Sequence, residues 1–126
     1  MALDAKPVRT NLAEVVTHRL FLLGANGADP SVVYGAAGVT VTRTGEGAYR
    51  VAFGENPGTF VGFTYGFGAT TPGDLKGYTV VHDEPFDTTN YRFDFVVYDS
   101  TFTAADIIAA QHLTLHIDFA RSNVNT

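Results

Sequence analysis

Residues 38–53 read Gly-Val-Thr-Val-Thr-Arg-Thr-Gly-Glu-Gly-Ala-Tyr-Arg-Val-Ala-Phe. Apolar side chains alternate with polar or small ones on both sides of the turn sequence Thr44-Gly45-Glu46-Gly47. A period of two is typical of a strand with one buried face, and the two glycines supply the positive-φ positions that tight hairpins require. The stretch therefore predicts a β-hairpin.

Further strand signals occur along the rest of the chain and are separated by turn residues such as Asn26-Gly27 and Pro57-Gly58. The first of these strands is polar at its start and continuously apolar from Leu20 to Leu23, which predicts that it enters a core buried on both faces. The strands predicted in addition to the hairpin are Val16–Leu23, Phe60–Phe67, Tyr78–His82, Tyr91–Tyr98 and Leu113–Phe119.

The spacing of these strands favours an antiparallel β-sandwich over alternating strands and helices. Residues 103–111 are rich in alanine, with Thr103 as a candidate N-cap, and fit either a short turn of helix or a long loop. We therefore predict an all-β fold, an antiparallel and jelly-roll-like β-sandwich, with at most one short helix near residues 103–111.

The length of 126 residues favours one domain with one core. Residues 1–15 contain Pro7 and Asn11 with little periodicity, which indicates an N-terminal arm rather than a helix. Residues 16–120 are predicted to form the β-sandwich domain, and residues 121–126 a polar C-terminal tail.

Charge and composition limit the classes of partner. The formal net charge is −5, and the eight Lys and Arg residues are scattered rather than clustered. An acidic surface without a basic patch repels nucleic acid and anionic lipid, so we expect no nucleic acid and no membrane as partners. The apolar run Leu20–Leu23 is far too short to span a membrane, and the chain has no cysteine for disulfides or thiolate sites.

The sequence His112-Leu-Thr-Leu-His116-Ile-Asp118 carries two imidazoles and a carboxylate on one face of a strand. Same-face neighbours on a strand lie about 6.6 Å apart, so these two histidines are separated by roughly 13 Å, too far to bind one ion. We therefore predict no metal site there. We expect these side chains to lie on a polar or subunit-facing surface, opposite a buried face formed by Leu113, Leu115, Ile117 and Phe119.

Two other motifs are interpreted as structural rather than catalytic. His82-Asp83-Glu84 precedes a proline and reads as a solvated turn, and the serines Ser31, Ser100 and Ser122 lack the context of a nucleophile. Residues 62–68 (Gly-Phe-Thr-Tyr-Gly-Phe-Gly) lack the pattern of a phosphate-binding loop. They predict a strand whose aromatic side chains lie in the core or at a subunit contact, and stacking on a sugar stays open. We expect no enzyme activity, no catalytic residue and no cofactor.

The hairpin at residues 38–53 resembles one found in small virion proteins of tailed bacteriophages. The order of the elements around it is also similar: a strand like Arg19–Leu23 and a glycine-rich turn come before it, and a strand like His112–Ile117 comes late. The resemblance implies a capsid decoration protein, or cement protein, with a β-sandwich fold. It also implies a homotrimer that binds the major capsid protein on the outer capsid surface of the virion.

Physical reasoning adds candidate contact regions to this resemblance. An N-terminal arm could add a strand to a neighbouring sheet edge, and two proline-containing loops are further candidates. The predicted capsid or subunit contacts are Pro7, Val8, Arg9, Leu12, Pro57 and Pro72. A rival interpretation is a carbohydrate- or receptor-binding β-domain of a phage fibre or spike. A small β-fold enzyme would require a base and a partner group that converge in a pocket.

Overall fold

The computed structural model describes residues 13–35, 37–70 and 77–122. This part of the chain contains eight β-strands and no helix. The strands are β1 (Ala13–Leu23), β2 (Ser31–Tyr34), β3 (Val39–Gly45), β4 (Ala48–Phe53), β5 (Thr59–Ala69), β6 (Thr79–Asp87), β7 (Arg92–Tyr98) and β8 (Gln111–Ser122).

The strands form two four-stranded antiparallel sheets. Sheet I has the order β2-β1-β8-β5, and sheet II has the order β3-β4-β7-β6. The hairpin predicted from residues 38–53 is the β3–β4 pair, with Val41 opposite Val51. The all-β fold and the antiparallel β-sandwich are thereby confirmed, and eight strands match a jelly roll in strand number.

The longest pairing joins β1 to β8 at the centre of sheet I, from Ala13 opposite Ser122 to Leu23 opposite His112. Alternate residues of β8 are fully buried, as the sequence pattern predicted. The buried set is Leu113, Leu115, Ile117 and Phe119. Because side chains alternate along a strand, this burial fixes which residues of β8 point away from the core.

Aromatic rings fill the space between the sheets. Phe119 of sheet I lies 5.2 Å from Phe53 of sheet II between ring centroids, and Phe93 lies 5.6 Å from Phe60 and 5.3 Å from Phe63. Aromatic pairs at such separations add about 0.5–1.5 kcal/mol each to the effect of their buried area. The core is therefore a layer of interlocked rings contributed by both sheets.

The alanine-rich stretch 103–111 forms a loop, not a helix. Its backbone donors bond to distant partners: the N–H of Ala105 donates to the carbonyl of Val97 at 3.0 Å, and the N–H of Ile107 donates to the hydroxyl of Tyr49 at 2.8 Å. The Ile107 side chain is buried. Tertiary contacts thus override the helix propensity of alanine.

β6 ends five residues beyond its predicted end at His82, and the bounds of the other predicted strands differ from the structure by one to three residues. β1 begins at Ala13, inside the predicted arm, and β8 extends to Ser122, inside the predicted tail. β2 was not predicted at all, since its four residues show no alternation. Residues 1–12 and 123–126, which make up most of the predicted arm and tail, lie outside the described residues.

Candidate functional site

The face of sheet I that points away from the core is a candidate binding surface, which we call the outer face of sheet I. Directly opposed residues of antiparallel strands project from the same side of a sheet, so the pairing register defines its members. They are Ser31 and Tyr34 of β2, Val15, Thr17, Arg19, Phe21 and Leu23 of β1, His112, Thr114, His116, Asp118 and Ala120 of β8, and Thr59, Gly62, Thr64, Gly66 and Gly68 of β5.

Aromatic and imidazole rings occupy one end of this outer face. Tyr34 lies opposite Phe21 and is 63% exposed. The ring of Phe21 meets the ring of His112 edge-on, with centroids 5.1 Å apart. The imidazole of His112 lies over the backbone of Gly68, where an added Cβ would come within 2.1 Å of the ring. Glycine at this position therefore allows the ring to lie flat on the sheet.

The side chains in the middle of the outer face are polar. Arg19 lies opposite His116, which lies opposite Thr64. Beside this row, the hydroxyl of Thr17 donates a hydrogen bond to the carboxylate of Asp118. A shallow cleft of about 240 Å³ is lined by Thr64, Tyr65, Gly66, Thr114 and His116.

The register agrees with the predicted placement of His112, His116 and Asp118 on one exposed side of β8. Within residues 13–35, 37–70 and 77–122, no group of three or more His, Cys, Asp or Glu side chains could hold a metal ion. Three or four converging ligands are the usual requirement for a zinc site. The outer face is therefore better suited to hydrogen bonding and stacking than to metal coordination.

The motif His82-Asp83-Glu84 lies within β6, where the pairing with β7 becomes irregular after Asp83. The ring of His82 points inward and stacks on Phe93, with centroids 4.4 Å apart and planes inclined by 14°. Asp83 and Glu84 are exposed. The interpretation of this motif as a turn is wrong, since all three residues belong to a strand, and the expected solvent exposure is right for the two acids only. Ser31 is far from this cluster, since β2 is the edge of sheet I opposite to β5.

Burial controls the charge of His82. Its Nε2 atom is buried and has no hydrogen-bond partner among the described residues. Desolvation lowers the pKa of His82 below its ordinary value of 6.5, against the opposing charges of Glu84 and Asp83. The imidazole is therefore held neutral against the aromatic core.

Two cavities lie at the end of the sandwich where β1 begins and β8 ends. The larger, of about 810 Å³, is lined by aromatic side chains such as Phe60 and Tyr91 and by polar ones such as Glu84. The smaller, of about 440 Å³, shares Asn56 and Arg121 with it. Rings and charged groups thus surround a concave space at this end, the usual composition of a ligand site.

His18 lies in the wall of the smaller cavity. Its ring contacts Phe53 and Phe119, with centroids 5.0 and 5.6 Å apart. Burial, and then the positive charge of Arg121, lower its pKa below the ordinary value of 6.5. The smaller cavity therefore presents a neutral imidazole beside a cationic guanidinium.

One of the six predicted contact residues falls in the described part of the chain. Pro57 is buried and lines the smaller cavity, while its neighbours Glu55 and Asn56 are exposed. A contact made by this loop would therefore use the neighbours rather than the proline ring. Pro7, Val8, Arg9, Leu12 and Pro72 lie outside the described residues, and their contacts stay predictions.

Sequence reasoning missed part of the outer face because it predicted that β1 enters a core buried on both faces. Leu20 and Leu22 are buried, but Phe21 is half-buried and Leu23 is 41% exposed. The alternation of Thr17, Arg19 and Phe21 with buried residues was the signal that could have revealed this face. Tyr34 carried no such signal.

No protein-family model, curated protein or solved structure matches this chain. Among the described residues there is also no helix long and apolar enough to cross a membrane. The geometry of the site and the resemblance of the hairpin are thus the two bases for assigning a function.

Proposed function

We propose that this protein is a virion structural protein, a decoration or cement protein that binds the outer surface of a bacteriophage capsid. The outer face of sheet I is the observation that carries the proposal of a broad protein contact. The resemblance of the hairpin region to small virion proteins supplies the capsid as the partner. The major capsid protein and further copies of this chain are the expected binding partners.

The composition of the outer face supports protein binding. Its seventeen members include one Arg, one Asp and no Lys or Glu, while Phe, Tyr, His, Thr and Gly make up most of the rest. Protein interfaces are enriched in aromatic residues and Arg and depleted in Lys and Glu, because long charged side chains are costly to desolvate. A sheet face also offers a wide contact area without a deep pocket.

The outer face of sheet II has a different composition. Arg50 and Asp94 form an ion pair there, with 2.9 Å between Nε and Oδ1, and Arg92 lies opposite Asp87 at the end of the β6–β7 pair. Burying these charged groups in an interface would cost desolvation free energy, which favours their contact with solvent. The two outer faces therefore predict an orientation, with sheet I towards the shell and sheet II towards solvent.

Mass action explains how a small domain would act as cement. A protein that binds only the expanded shell stabilises that shell in proportion to how far its concentration exceeds its dissociation constant. Where several copies of the chain assemble, their weak contacts act together through effective concentration. A single outer face therefore need not bind strongly alone.

The test compares two charge reversals in a co-sedimentation assay with immature and expanded shells. The proposal predicts that the wild-type protein sediments with expanded shells only. Arg19→Glu, on the outer face of sheet I, is expected to weaken binding about tenfold or more, equivalent to about 1.4 kcal/mol. Arg92→Glu, on the outer face of sheet II, makes the same change in net charge and is the matched control. Its binding is expected to stay within about twofold of wild type.

Absence of wild-type binding to either shell would contradict the capsid assignment. Equal losses in Arg19→Glu and Arg92→Glu would contradict the role of the outer face of sheet I, because net charge would then explain both. Both variants should retain the wild-type circular dichroism spectrum and melting curve, since both side chains lie outside the core.

A second candidate function is carbohydrate or receptor binding, and the larger end cavity is the observation that favours it. Phe60 and Tyr91 offer rings for stacking, while Glu84 and Arg121 offer a hydrogen-bond acceptor and a donor. The test is binding of labelled protein to host cells in competition with free monosaccharides. Glu84→Gln should lower this binding, and Glu46→Gln, in the β3–β4 turn, should leave it unchanged.

A further inference from the structure

The four edge strands of the sandwich differ in how they are protected. An unprotected edge is a template for pairing with another chain, and proteins block edges with charges, prolines or short strands. β2 is four residues long. β3 carries Arg43, and β6 carries Asp83, Glu84 and Pro85. Each of these three edges therefore has one of the usual protections.

The fourth edge, β5, has none of these three, although its pairing with β8 is irregular between Phe60 and Gly62. Its eleven residues, from Thr59 to Ala69, contain no charge and no proline. Within the described part of the chain, β5 pairs with β8 on one side and with no strand on the other. Val61 is 58% exposed and Tyr65 is 40% exposed along it. Among the described residues, this uncharged row of backbone donors and acceptors therefore has no partner strand.

We infer that β5 pairs in antiparallel fashion with β5 of a second copy of this chain, about a two-fold axis through Thr64. The joined sheet has the order β2-β1-β8-β5-β5-β8-β1-β2. This inference goes beyond the proposed function and does not depend on it, since the two copies pair with or without a capsid.

Charge identifies a second copy as the occupant. In a two-fold contact the same strand faces itself, so any charge near the axis meets an identical charge, which is destabilising. The chain has a net charge of −5, so two copies repel each other overall. Self-pairing of β6 would bring Asp83 and Glu84 towards their equivalents, whereas β5 places no like charges together.

Symmetry fixes the register of this pairing. Opposed residues in an antiparallel pair point to the same side of the sheet, so a two-fold axis normal to the sheet must place one residue opposite itself. Thr64 is the central residue of Thr59–Ala69, and an axis there pairs Gly62 to Gly66 in regular register, short of the irregularity between Phe60 and Gly62. Phe63 then lies opposite Tyr65 on the core side. Threonine pairs and aromatic pairs are favourable cross-strand neighbours.

The first experiment measures the mass of the full chain by sedimentation velocity across a range of concentrations. We expect an assembly that contains an even number of copies. Thr64→Lys and Thr64→Glu should each halve this mass, because they place like charges opposite each other on the axis. An equimolar mixture of the two variants should restore the wild-type mass, because the introduced ammonium of one copy then faces the introduced carboxylate of the other. The matched control is Thr40→Lys, at an exposed position of edge strand β3, which should leave the mass unchanged.

A second measurement does not depend on charge. The chain has no cysteine, so Thr64→Cys introduces one thiol that the two-fold axis places opposite its equivalent. Directly opposed residues in antiparallel strands have Cα atoms about 4.5–5.5 Å apart, within the range of a disulfide. Mild oxidation should convert Thr64→Cys to a covalent dimer, and Thr40→Cys should remain mostly uncrosslinked.

A wild-type protein that stays monomeric at every concentration would overturn the inference. So would a mass that Thr64→Lys does not change, or a Thr64→Cys protein that crosslinks no faster than Thr40→Cys. Shell binding is scored separately with the wild-type protein. A protein that stays monomeric but sediments with expanded shells would overturn this inference and leave the proposed function standing, and a protein that pairs through β5 but binds no shell would do the reverse.

Discussion

Two Arg–Asp pairs in this protein have the same bond length and different surroundings. Arg43 and Asp106 are joined at 2.9 Å between Nε and Oδ1, and so are Arg50 and Asp94. The Asp106 side chain is 17% exposed and the Asp94 side chain is 32% exposed. The Arg50–Asp94 pair lies across two strands that already share a hydrogen-bonded ladder. Its loss would therefore leave the sheet in place.

Asp106, in contrast, anchors a loop. Its carboxylate also accepts a hydrogen bond from the backbone N–H of Gly47 at 2.8 Å and lies 3.5 Å from the hydroxyl of Tyr49. That hydroxyl in turn accepts from the N–H of Ile107 at 2.8 Å. Burial raises the pKa of Tyr49 to about 12, so the phenol stays neutral and keeps its proton. The comparison shows that the number of groups left unsatisfied, rather than the length of one bond, decides how much a pair stabilises.

The largest expected effect is that of Asp106→Ala. The change leaves the Gly47 N–H and the Arg43 guanidinium without their acceptor, and we expect the free energy of unfolding to fall by about 3 kcal/mol. Urea denaturation at neutral pH measures this. Asp94→Ala is the matched control, and equal losses for the two variants would show that the surroundings of the pairs do not matter.

Tyr49→Phe should have the next largest effect. It keeps the buried ring, stacked on Phe95 at 5.4 Å, and removes the hydroxyl that accepts from the N–H of Ile107. We expect a loss of about 1–2 kcal/mol, the cost of one buried unsatisfied donor. Tyr34→Phe, at an exposed position, serves as the control and should change stability by less than about 0.5 kcal/mol. A loss below that limit for Tyr49→Phe would mean that Ile107 finds another acceptor.

A smaller, pH-dependent effect should separate wild type from Asp106→Asn. The hydrogen bond from Arg43 holds the pKa of the Asp106 carboxyl below its ordinary value of 3.8. A carboxyl with a lower pKa in the folded state stabilises the fold above its unfolded-state pKa and loses that contribution as pH falls through the folded value. The difference in unfolding free energy between the two proteins should therefore be constant between about pH 7 and pH 5 and shrink below about pH 4. A difference that persists undiminished in strong acid would contradict this origin.

The smallest expected effect is the coupling between Arg50 and Asp94. A double-mutant cycle with Arg50→Ala and Asp94→Ala should give a coupling energy of less than about 1 kcal/mol, because water screens most of the attraction within an exposed ion pair. High salt should reduce this value further. The same cycle on Arg43 and Asp106 should give a larger coupling that salt changes less. Equal couplings would remove the distinction between the two pairs.

The parts of the fold that sequence predicted well were those specified locally. The β3–β4 hairpin joins alternation and turn glycines within sixteen residues, and β8 shows its buried face in its own pattern. The loop at residues 103–111 could not be distinguished from a helix. Its conformation depends on Arg43 and Tyr49, which are 63 and 58 positions from their partners in the loop. No local pattern contains that information.

The candidate site was predictable in part for the same reason. The exposed side of β8, with His112 and His116, followed from alternation. The neighbours that complete the outer face, Arg19 and Thr64, come from strands whose register is set by long-range pairing. The end cavities form where several loops meet, so sequence alone gave no signal for them. The absence of charge and proline from β5 was visible in its composition, but its position at an edge was not.

The pairing of β1 with β8 has a consequence for how the protein is made. Thr17 and Asp118, joined across these strands, are 101 positions apart. At a synthesis rate of about 5–20 residues per second, the ribosome needs roughly 5–20 s to travel that distance. For all of that time β1 lacks β8, the strand that lies between β1 and β5 in sheet I, and β5, which ends at Ala69, lacks it for about the second half. The nascent chain thus carries two incomplete sheet elements during translation, and chaperones that bind exposed apolar strands have that interval in which to act.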